Sequence, residues 1–331
     1  MSNRDAEAKS KKRIGLVVAF AALGDEERRA VEIAWKSAIA SAVNWTSAFA
    51  AFGLESVTEH ARGSDILVYL GESSRFERVA GEASQRVPVV LVKSTVEELL
   101  HRESGSPPRY RMCTGVTGIA KALASVAPLA PTVDWQTLPW PRDVMGLLHL
   151  DKAERSYVDI SVAAFRSAAE GRGIRWQRRL PHGGQTFSVF LTMHDPSAAM
   201  LAQTALRLWP QCTVLAADGM VATRAPGGEK WPERMLRVRH WSPRSHSTSN
   251  RLFREAVRGK RLPDYDSAGM VFGTLCFLDR AFATGALPAE LHLAGKHLGP
   301  LGPMRMTVSG RPHPERLVVF QGDRMKVVTV G

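Results

Sequence analysis

Apolar runs of strand length alternate with amphipathic segments along the first half of the chain. Residues 13–20, 66–70 and 87–92 are nearly uninterrupted apolar runs, the pattern of strands that are buried on both faces of a sheet. Residues 25–42 repeat their apolar positions with the period of a helix and begin with three acids, which the helix dipole favours. The alternation of strands and helices predicts a parallel sheet covered by helices on both faces.

The proline-rich residues 128–143 interrupt this pattern, because no helix tolerates their proline spacing. A strand at 110–113 and a helix at 116–127 precede them, and the alternation restarts after them. The later segments predict strands at 144–150, 174–180, 186–192 and 213–217, helices at 152–170, 197–208, 251–258 and 267–284, a hairpin of 304–308 with 317–320, and a last strand at 325–330.

These patterns predict an α/β protein of two Rossmann-like lobes, each with a parallel sheet, joined by a hinge of three chain crossings. Proline or glycine marks the expected crossings, near 139–143, 242–249 and 299–303. We therefore assign residues 1–12 to a flexible N-terminus, residues 13–142 and 246–298 to the N-terminal lobe, and residues 143–245 and 299–331 to the C-terminal lobe.

The charge of the chain is strongly positive, since 44 Lys and Arg stand against 32 Asp and Glu, a net +12. Such an excess favours acidic partners. Between Arg224 and Arg261 there are eleven basic residues against three acids, interleaved with Trp231 and Trp241. This basic segment is either a solvated surface or a nucleic-acid contact in which the aromatic rings stack on bases.

No run of residues approaches the roughly 20 apolar residues of a membrane span. The polar start, MSNRDAEAKSKKR, has no features of a removed signal segment, so we expect a cytoplasmic protein. The three cysteines form no CxxC or Cys/His cluster, and phosphate loops of the GxxxxGK[ST] kind are absent. We therefore expect no structural disulfide framework, no metal and no cofactor.

Several motifs, in order, resemble the type I periplasmic-binding-protein fold, in particular its branched-chain amino-acid and amide-binding branch. DKAERSYVDISVAAFRSAAEGRGI is similar to that family's segment in which an acidic turn and a Tyr precede a helix. LGPLGPMRMTVSGRPHPERLVVF is similar to its closing hairpin, and YLGESS and VPVVLVKST are similar to its strand-end corners. The resemblance implies a non-enzymatic protein that holds a small polar ligand between two lobes.

Two features depart from that family. Residues 43–64 look helical or irregular, whereas the family has a further strand at this place, so we expect the second strand of the N-terminal lobe to be missing. Members of the branch are usually exported, whereas this chain shows no signal segment. The sequence therefore predicts a cytoplasmic sensor that signals to a partner protein or works as a homodimer.

Hydroxyl side chains follow two of the predicted strands of the N-terminal lobe. Ser73 and Ser74 come after Gly71, and Ser94 and Thr95 end the next strand. Ligands of parallel sheets bind at the carboxyl ends of the strands, so these corners could hold a carboxylate or carbonyl oxygen. Ser and Thr are also common helix N-caps, so capping alone is the alternative.

In the C-terminal lobe the candidates are Tyr157, which lies where the resembling family places a Tyr against its ligand, and Asp218. The aspartate lies in LAADG at the end of a strand and could receive an ammonium or amide N–H. The alternative for Asp218 is an ordinary turn before Gly219. Together the two lobes predict an amino-acid-like or amide-like ligand.

Two other classes of protein are alternatives to a ligand-binding protein. A racemase would need paired cysteines as acid and base, but Cys212 begins its strand, so we interpret it as a small buried residue. A degenerate binding fold that serves as a scaffold, contacting nucleic acid or an acidic partner through residues 224–261, remains the alternative function.

Overall fold

The computed structural model of the protein describes residues 12–19, 25–42, 45–52, 63–101, 104–181, 184–193, 196–220, 222–260 and 266–330. The chain divides into two units. Unit 1 comprises Met1–Cys113 and Trp241–Pro314, and unit 2 comprises Thr114–His240 and Glu315–Gly331. No helix in the described part of the chain combines the length and apolar character that a bilayer crossing requires.

Helices and strands alternate through both units, as the apolar pattern predicts. The helices are α1 (Asp25–Ser41), α2 (Phe76–Ser84), α3 (Val116–Val126), α4 (Lys152–Glu170), α5 (Ser197–Leu208), α6 (Thr248–Ala256) and α7 (Asp266–Ala283). The strands are β1 (Lys12–Ala19), β2 (Trp45–Phe52), β3 (Ile66–Gly71), β4 (Val89–Leu91), β5 (Arg109–Arg111), β6 (Thr132–Asp134), β7 (Trp176–Gln177), β8 (Phe187–Leu191), β9 (Cys212–Ala216), β10 (Met235–Arg239), β11 (His297–Gly299), β12 (Gly302–Met306), β13 (Pro312–His313), β14 (Glu315–Gln321) and β15 (Arg324–Val330).

The main sheet of unit 1 has the strand order β2-β1-β3-β4-β5, and all of its pairs are parallel. β3 is buried at every position, which explains why its sequence is one continuous apolar run. α1, α6 and α7 share one core with this sheet, and the opposite face packs against α2. A small antiparallel sheet, β11-β12-β13, also belongs to unit 1.

The sheet of unit 2 has the order β15-β14-β10-β9-β8-β6-β7. Its strands from β10 to β7 are parallel, whereas β14 and β15 form an antiparallel hairpin at one edge. α3 and α4 contribute to the core on one face, and α5 to the core on the other. Two sheets of this kind confirm the predicted α/β class.

The prediction that unit 1 lacks its second strand is wrong, because β2 pairs in parallel with β1 from Trp45 to Phe52. Residues 53–62 lie outside the described residues. The predicted strand at 144–150 is also wrong, since Arg142–Leu148 is a 3-10 helix. Of the predicted hairpin partners, 304–308 corresponds to β12 of the small sheet, while β14 pairs with β15 instead.

The boundaries between the units differ from the proline- and glycine-marked crossings that the sequence predicts. The chain passes from one unit to the other after Cys113, His240 and Pro314. Residues 128–143 are no linker, because β6 lies inside the unit 2 sheet and Trp135 is buried in its core. α3 packs against α4, β10 and β14, so it belongs to unit 2 and not to the first lobe.

Gly269 and Gly81 form a matched pair for testing how tightly unit 1 is packed. A Cβ at Gly269, within α7, would overlap the buried indole of Trp241. We expect Gly269→Ala to lower the free energy of unfolding by about 2 kcal/mol, because the clash outweighs the gain of about 1 kcal/mol from replacing a helical glycine.

The control is Gly81→Ala in α2, where the new Cβ would meet the flexible carboxylate of Glu77 at 2.7 Å. This carboxylate can move, so the same substitution should raise the free energy of unfolding by about 0.5–1 kcal/mol. Urea titration of both variants measures the two signs. Equal stabilisation by both alanines would show that the ring of Trp241 yields easily.

The cysteines offer a second test, because all three are free thiols. Burial raises the pKa of the Cys212 thiol to about 12 and that of Cys276 to about 11. At pH 8 the native protein then holds roughly one thiolate in ten thousand at Cys212, against about a quarter for an ordinary thiol. We expect iodoacetamide to modify both cysteines more than tenfold faster in urea-unfolded protein than in native protein. Rapid modification of native Cys212 would contradict its burial.

Candidate functional site

Three neighbouring strands of unit 2 end at one edge of the sheet, because β8, β9 and β10 are parallel. Thr192, Asp218 and His240 follow the ends of these three strands. The carboxyl edge of a parallel sheet is where ligands of α/β proteins bind. Polar residues after three consecutive strands therefore make this edge the candidate site of unit 2.

Asp218 is held from two sides. The Tyr157 hydroxyl donates to its Oδ1 at 2.5 Å, and His240 Nε2 lies 3.2 Å from its Oδ2. His240 is fully buried and Asp218 nearly so. A buried carboxylate needs such donors, and with His240 donating from Nε2 the neutral imidazole keeps Nδ1 as an acceptor.

The position of Tyr157 follows from the way α4 begins. The Asp151 carboxylate accepts a hydrogen bond from the backbone N–H of Glu154 at 2.8 Å. The Glu154 carboxylate in turn accepts one from the backbone N–H of Asp151 at 3.1 Å. This capping box fixes the first turn of the helix. Tyr157 lies in the next turn, so the cap fixes the backbone that places its hydroxyl against the Asp218 carboxylate.

Two buried polar atoms at this edge have no hydrogen-bond partner within the described residues. They are His240 Nδ1 and Thr192 Oγ1. Leaving such an atom unsatisfied costs about 1–3 kcal/mol, so native proteins rarely do so without a ligand, an ion or water. The edge therefore has hydrogen-bonding capacity that the described part of unit 2 leaves unused.

In unit 1, the predicted hydroxyl corners do come together, because β3 and β4 are adjacent and parallel. Ser73 Oγ accepts hydrogen bonds from the N–H groups of Thr95 at 3.1 Å and Val96 at 3.4 Å. Ser94 Oγ donates to the carbonyl of Gly71 at 3.0 Å. These two serines therefore fasten one strand-end corner to the other.

The capping alternative does not describe Ser73, and its contact with a ligand stays a prediction. The N-caps of Ser73–Arg75, α2 and Glu97–Leu100 make no side-chain capping hydrogen bond, so Ser73 and Ser94 do not cap these helices. The side chain of Ser74 lies outside the described part. Thr95 is buried, and its hydroxyl makes no hydrogen bond with the described residues, although its carbonyl accepts one from Arg111 Nη1 at 3.1 Å.

Gly71 has a steric reason to be glycine. A Cβ there would lie 2.6 Å from both the carbonyl oxygen of Ala19 and the hydroxyl of Tyr69. Burial, followed by the nearby Glu72 carboxylate, raises the pKa of Tyr69, so the hydroxyl stays protonated. It donates to the carbonyl of Glu72 at 3.0 Å and thereby fixes the start of the corner.

Charged residues that the sequence analysis did not single out also lie at this corner. Lys93 Nζ is 2.8 Å from Asp266 Oδ1, and both side chains are largely buried, at 11% and 1% exposed. Arg75 pairs with Glu72 at 2.8 Å, so the acid beside Ser73 is neutralised. Lys93 is the second residue after β4, yet its partner begins α7, and no local sequence signal indicates this long-range pairing.

The predicted nucleic-acid contact of the basic segment is wrong in its aromatic part. Trp231 and Trp241 are buried, so neither ring can stack on a base. Arg237 and Arg239 are buried as well, within β10, a strand that the sequence did not predict. Arg237 donates to the carbonyls of Ala222 and Thr223, so its guanidinium is bound inside unit 2 and does not contribute to a basic surface.

Other site chemistry is limited in the described residues. They contain no group of three or more His, Cys, Asp or Glu side chains that could hold a metal ion. Cys212 is fully buried at the start of β9, as expected for a small core residue. Unit 2 therefore offers Tyr157, Asp218, His240 and Thr192 as its polar groups at the carboxyl edge.

The sequence matches no family model, and no curated protein is similar to it. Solved structures are similar over the whole chain. A leucine-binding protein of Thermotoga maritima is 14% identical, with a TM-score of 0.67 and coverage of 97% of this chain and 99% of that one. A branched-chain amino-acid ABC transporter periplasmic ligand-binding protein of Burkholderia xenovorans is 12% identical, with a TM-score of 0.68 and coverage of 97% and 95%.

A third similar structure is an ABC transporter solute-binding protein of R. palustris in complex with benzoate. It is 13% identical, with a TM-score of 0.63 and coverage of 96% of this chain and 95% of that one. These neighbours are solute-binding proteins, and at such identities the likeness shows the fold. Together with the two α/β units, it shows that the chain has a type I periplasmic-binding-protein-like fold.

Proposed function

We propose that this chain is a non-enzymatic protein that binds a small amino-acid-like or amide-like molecule and signals its presence to a partner protein. The observation that carries the proposal is the buried Nδ1 of His240, which has no partner among the described residues although it lies beside the Asp218 carboxylate. A ligand N–H is the group that such an arrangement would receive.

The polar groups of the unit 2 edge are mostly acceptors. Asp218 is acceptor-only when ionised, and the neutral His240 ring accepts at Nδ1 when Nε2 donates to Asp218. Thr192 adds a hydroxyl that can accept or donate. This set suits an ammonium or an amide N–H, which supports a ligand with a nitrogen at one end.

The strand-end corner of unit 1 contains donor groups. After β4, the Lys93 ammonium, which pairs with Asp266, is a donor, and the Thr95 hydroxyl can donate or accept. Donors at a strand end suit a carboxylate or carbonyl oxygen, the other functional group of an amino acid or amide. The solved relatives of the fold are described as binding leucine, branched-chain amino acids or benzoate, which supports a small ligand with such a group.

We also propose that the protein works in the cytoplasm. Its three cysteines are free thiols, two of them buried, and free thiols suit a reducing compartment. Fractionation of the source cells should recover the chain with the cytoplasmic proteins. Recovery from the periplasm or the medium would contradict this location and favour a solute carrier.

Ligand binding can be measured by thermal shift against the amino acids and their C-terminal amides. A ligand at one hundred times its Kd adds about 2.7 kcal/mol to the free energy of unfolding. We expect at least one member of the panel to raise the Tm of the wild-type protein, and Asp218→Asn to weaken that ligand at least tenfold. No shift across the whole panel would refute the amino-acid or amide assignment.

The matched control for Asp218→Asn is Asp159→Asn. Asp159 is an exposed acid on α4, the same helix that carries Tyr157, and the substitution makes the same change of charge. Asp159→Asn should leave the ligand response of the wild-type protein unchanged. Equal losses in both variants would mean that net charge, and not the Asp218 contact, controls binding.

A pair of buried threonines separates binding from stability. Thr192 and Thr132 are both buried, and neither Oγ1 has a partner in the described residues. Thr192 follows β8 at the candidate site, whereas Thr132 begins β6. Because valine removes an unsatisfied hydroxyl, we expect each Thr→Val variant to raise the free energy of unfolding by about 1 kcal/mol in urea titrations without ligand.

Only Thr192→Val should weaken the ligand found in the panel, by about fivefold, because one net hydrogen bond is worth roughly 1 kcal/mol. Thr132→Val should bind as the wild-type protein does. If Thr192→Val gains stability and still binds normally, the carboxyl edge of β8 does not contact the ligand.

A further inference from the structure

Unit 2 contains a cavity whose lining includes none of the candidate-site residues. Its volume is about 400 Å³, within the range of small-molecule pockets. One wall is the C-terminal half of α5, and the other is the connection between residues 225 and 234 that leads into β10. Because α5 precedes β9 and this connection precedes β10, the cavity lies at the amino ends of these strands, the sheet edge opposite to Asp218. We call it the α5 pocket.

Hydrogen bonds hold the two walls of the α5 pocket together. Gln203 Nε2 donates to the carbonyl of Pro226 at 2.9 Å, and Arg234 Nη2 donates to the carbonyl of Leu206 at 2.7 Å. The connection is itself ordered by Gly227 and Gly228, whose φ values of 94° and 86° suit glycine. Because these bonds order the walls before a ligand arrives, binding loses little free energy to ordering the pocket.

Three cations and one acid line the α5 pocket. Arg234 donates to the carbonyl of Leu206 in the last turn of α5 and to that of Pro210 just beyond the helix, where it offsets the negative end of the helix dipole. Arg207 is exposed and makes no hydrogen bond or ion pair with the described residues. Lys230 pairs with Asp323 at 3.3 Å, but at 73% and 44% exposure this pair is weak.

The other six lining residues are mostly apolar, with Gln203 and Thr204 as the polar ones. Leu206, Ala225 and Trp231 are buried residues beneath the opening, and Pro232 lies at its rim. An apolar floor with Arg207 and Lys230 at the opening, two cations against the exposed acid Glu229, suits a molecule with an apolar body and an anionic head. We propose that the α5 pocket binds a small organic carboxylate with an aromatic or branched aliphatic body, at a site separate from the carboxyl edge.

Isothermal titration of the whole protein with benzoate tests this proposal, with benzamide as the uncharged isostere. We expect saturable binding of benzoate and at least tenfold weaker binding of benzamide. The double variant Arg207→Gln/Lys230→Gln should weaken benzoate about tenfold, since each partly exposed contact contributes up to about 1 kcal/mol.

The matched control is Arg178→Gln/Arg179→Gln, which removes the same charge from two exposed arginines of unit 2 that do not line the pocket. This control should bind benzoate as the wild-type protein does, and the pocket variant should keep the wild-type response to the amino-acid and amide panel. The proposal is overturned if benzoate does not bind, if benzamide binds equally well, or if both double variants lose benzoate to the same degree.

Discussion

Parallel strand pairing is the constraint on which the candidate site depends. When neighbouring strands run in one direction, every chain segment that leaves them does so at the same edge, whatever helix comes next. In unit 2 this brings together Thr192, Asp218 and His240, which are far apart in sequence. In unit 1 it brings the corner after Gly71 beside the corner after β4, where Ser73 and Ser94 join them. The sheets thus determine which polar groups meet before any side-chain contact is formed.

The polar groups at these edges reduce stability unless something satisfies them. Ser73 and Ser94 are satisfied by the backbone, so the unit 1 corner is a rigid structural joint as well as a source of donors. His240 Nδ1 and Thr192 Oγ1 are not satisfied by the described residues. Ser73 and Ser94 therefore build the corner, whereas His240 and Thr192 keep hydrogen-bonding groups that a ligand can use. For this reason the Thr192→Val substitution should raise the free energy of unfolding and weaken ligand binding.

The sequence predicted the elements that depend on continuous apolar runs and helical periodicity. β3, β8, α4 and α5 were all predicted within a few residues, because their burial leaves a direct pattern in the letters. The unit boundaries were not predictable in this way. Prolines at 128–143 mark a change of direction, but β6 and Trp135 within that stretch are core, and only pairing with β8 shows this.

Charged residues predicted their own environment least reliably, because an arginine can be either buried or exposed. Arg237 lies in β10 and is buried, with its guanidinium bonded to backbone carbonyls and 4.6 Å from the ring of Phe320, whereas Arg207 is exposed on α5. In the sequence the arginines of β10 indicate a basic surface, so neither this strand nor the role of the His240 that follows it was predicted. A guanidinium can enter a core only where acceptors satisfy its donors, and for Arg237 these are the carbonyls of Ala222 and Thr223 in the preceding loop. The residue that completes the candidate site therefore becomes visible only when the chain is folded.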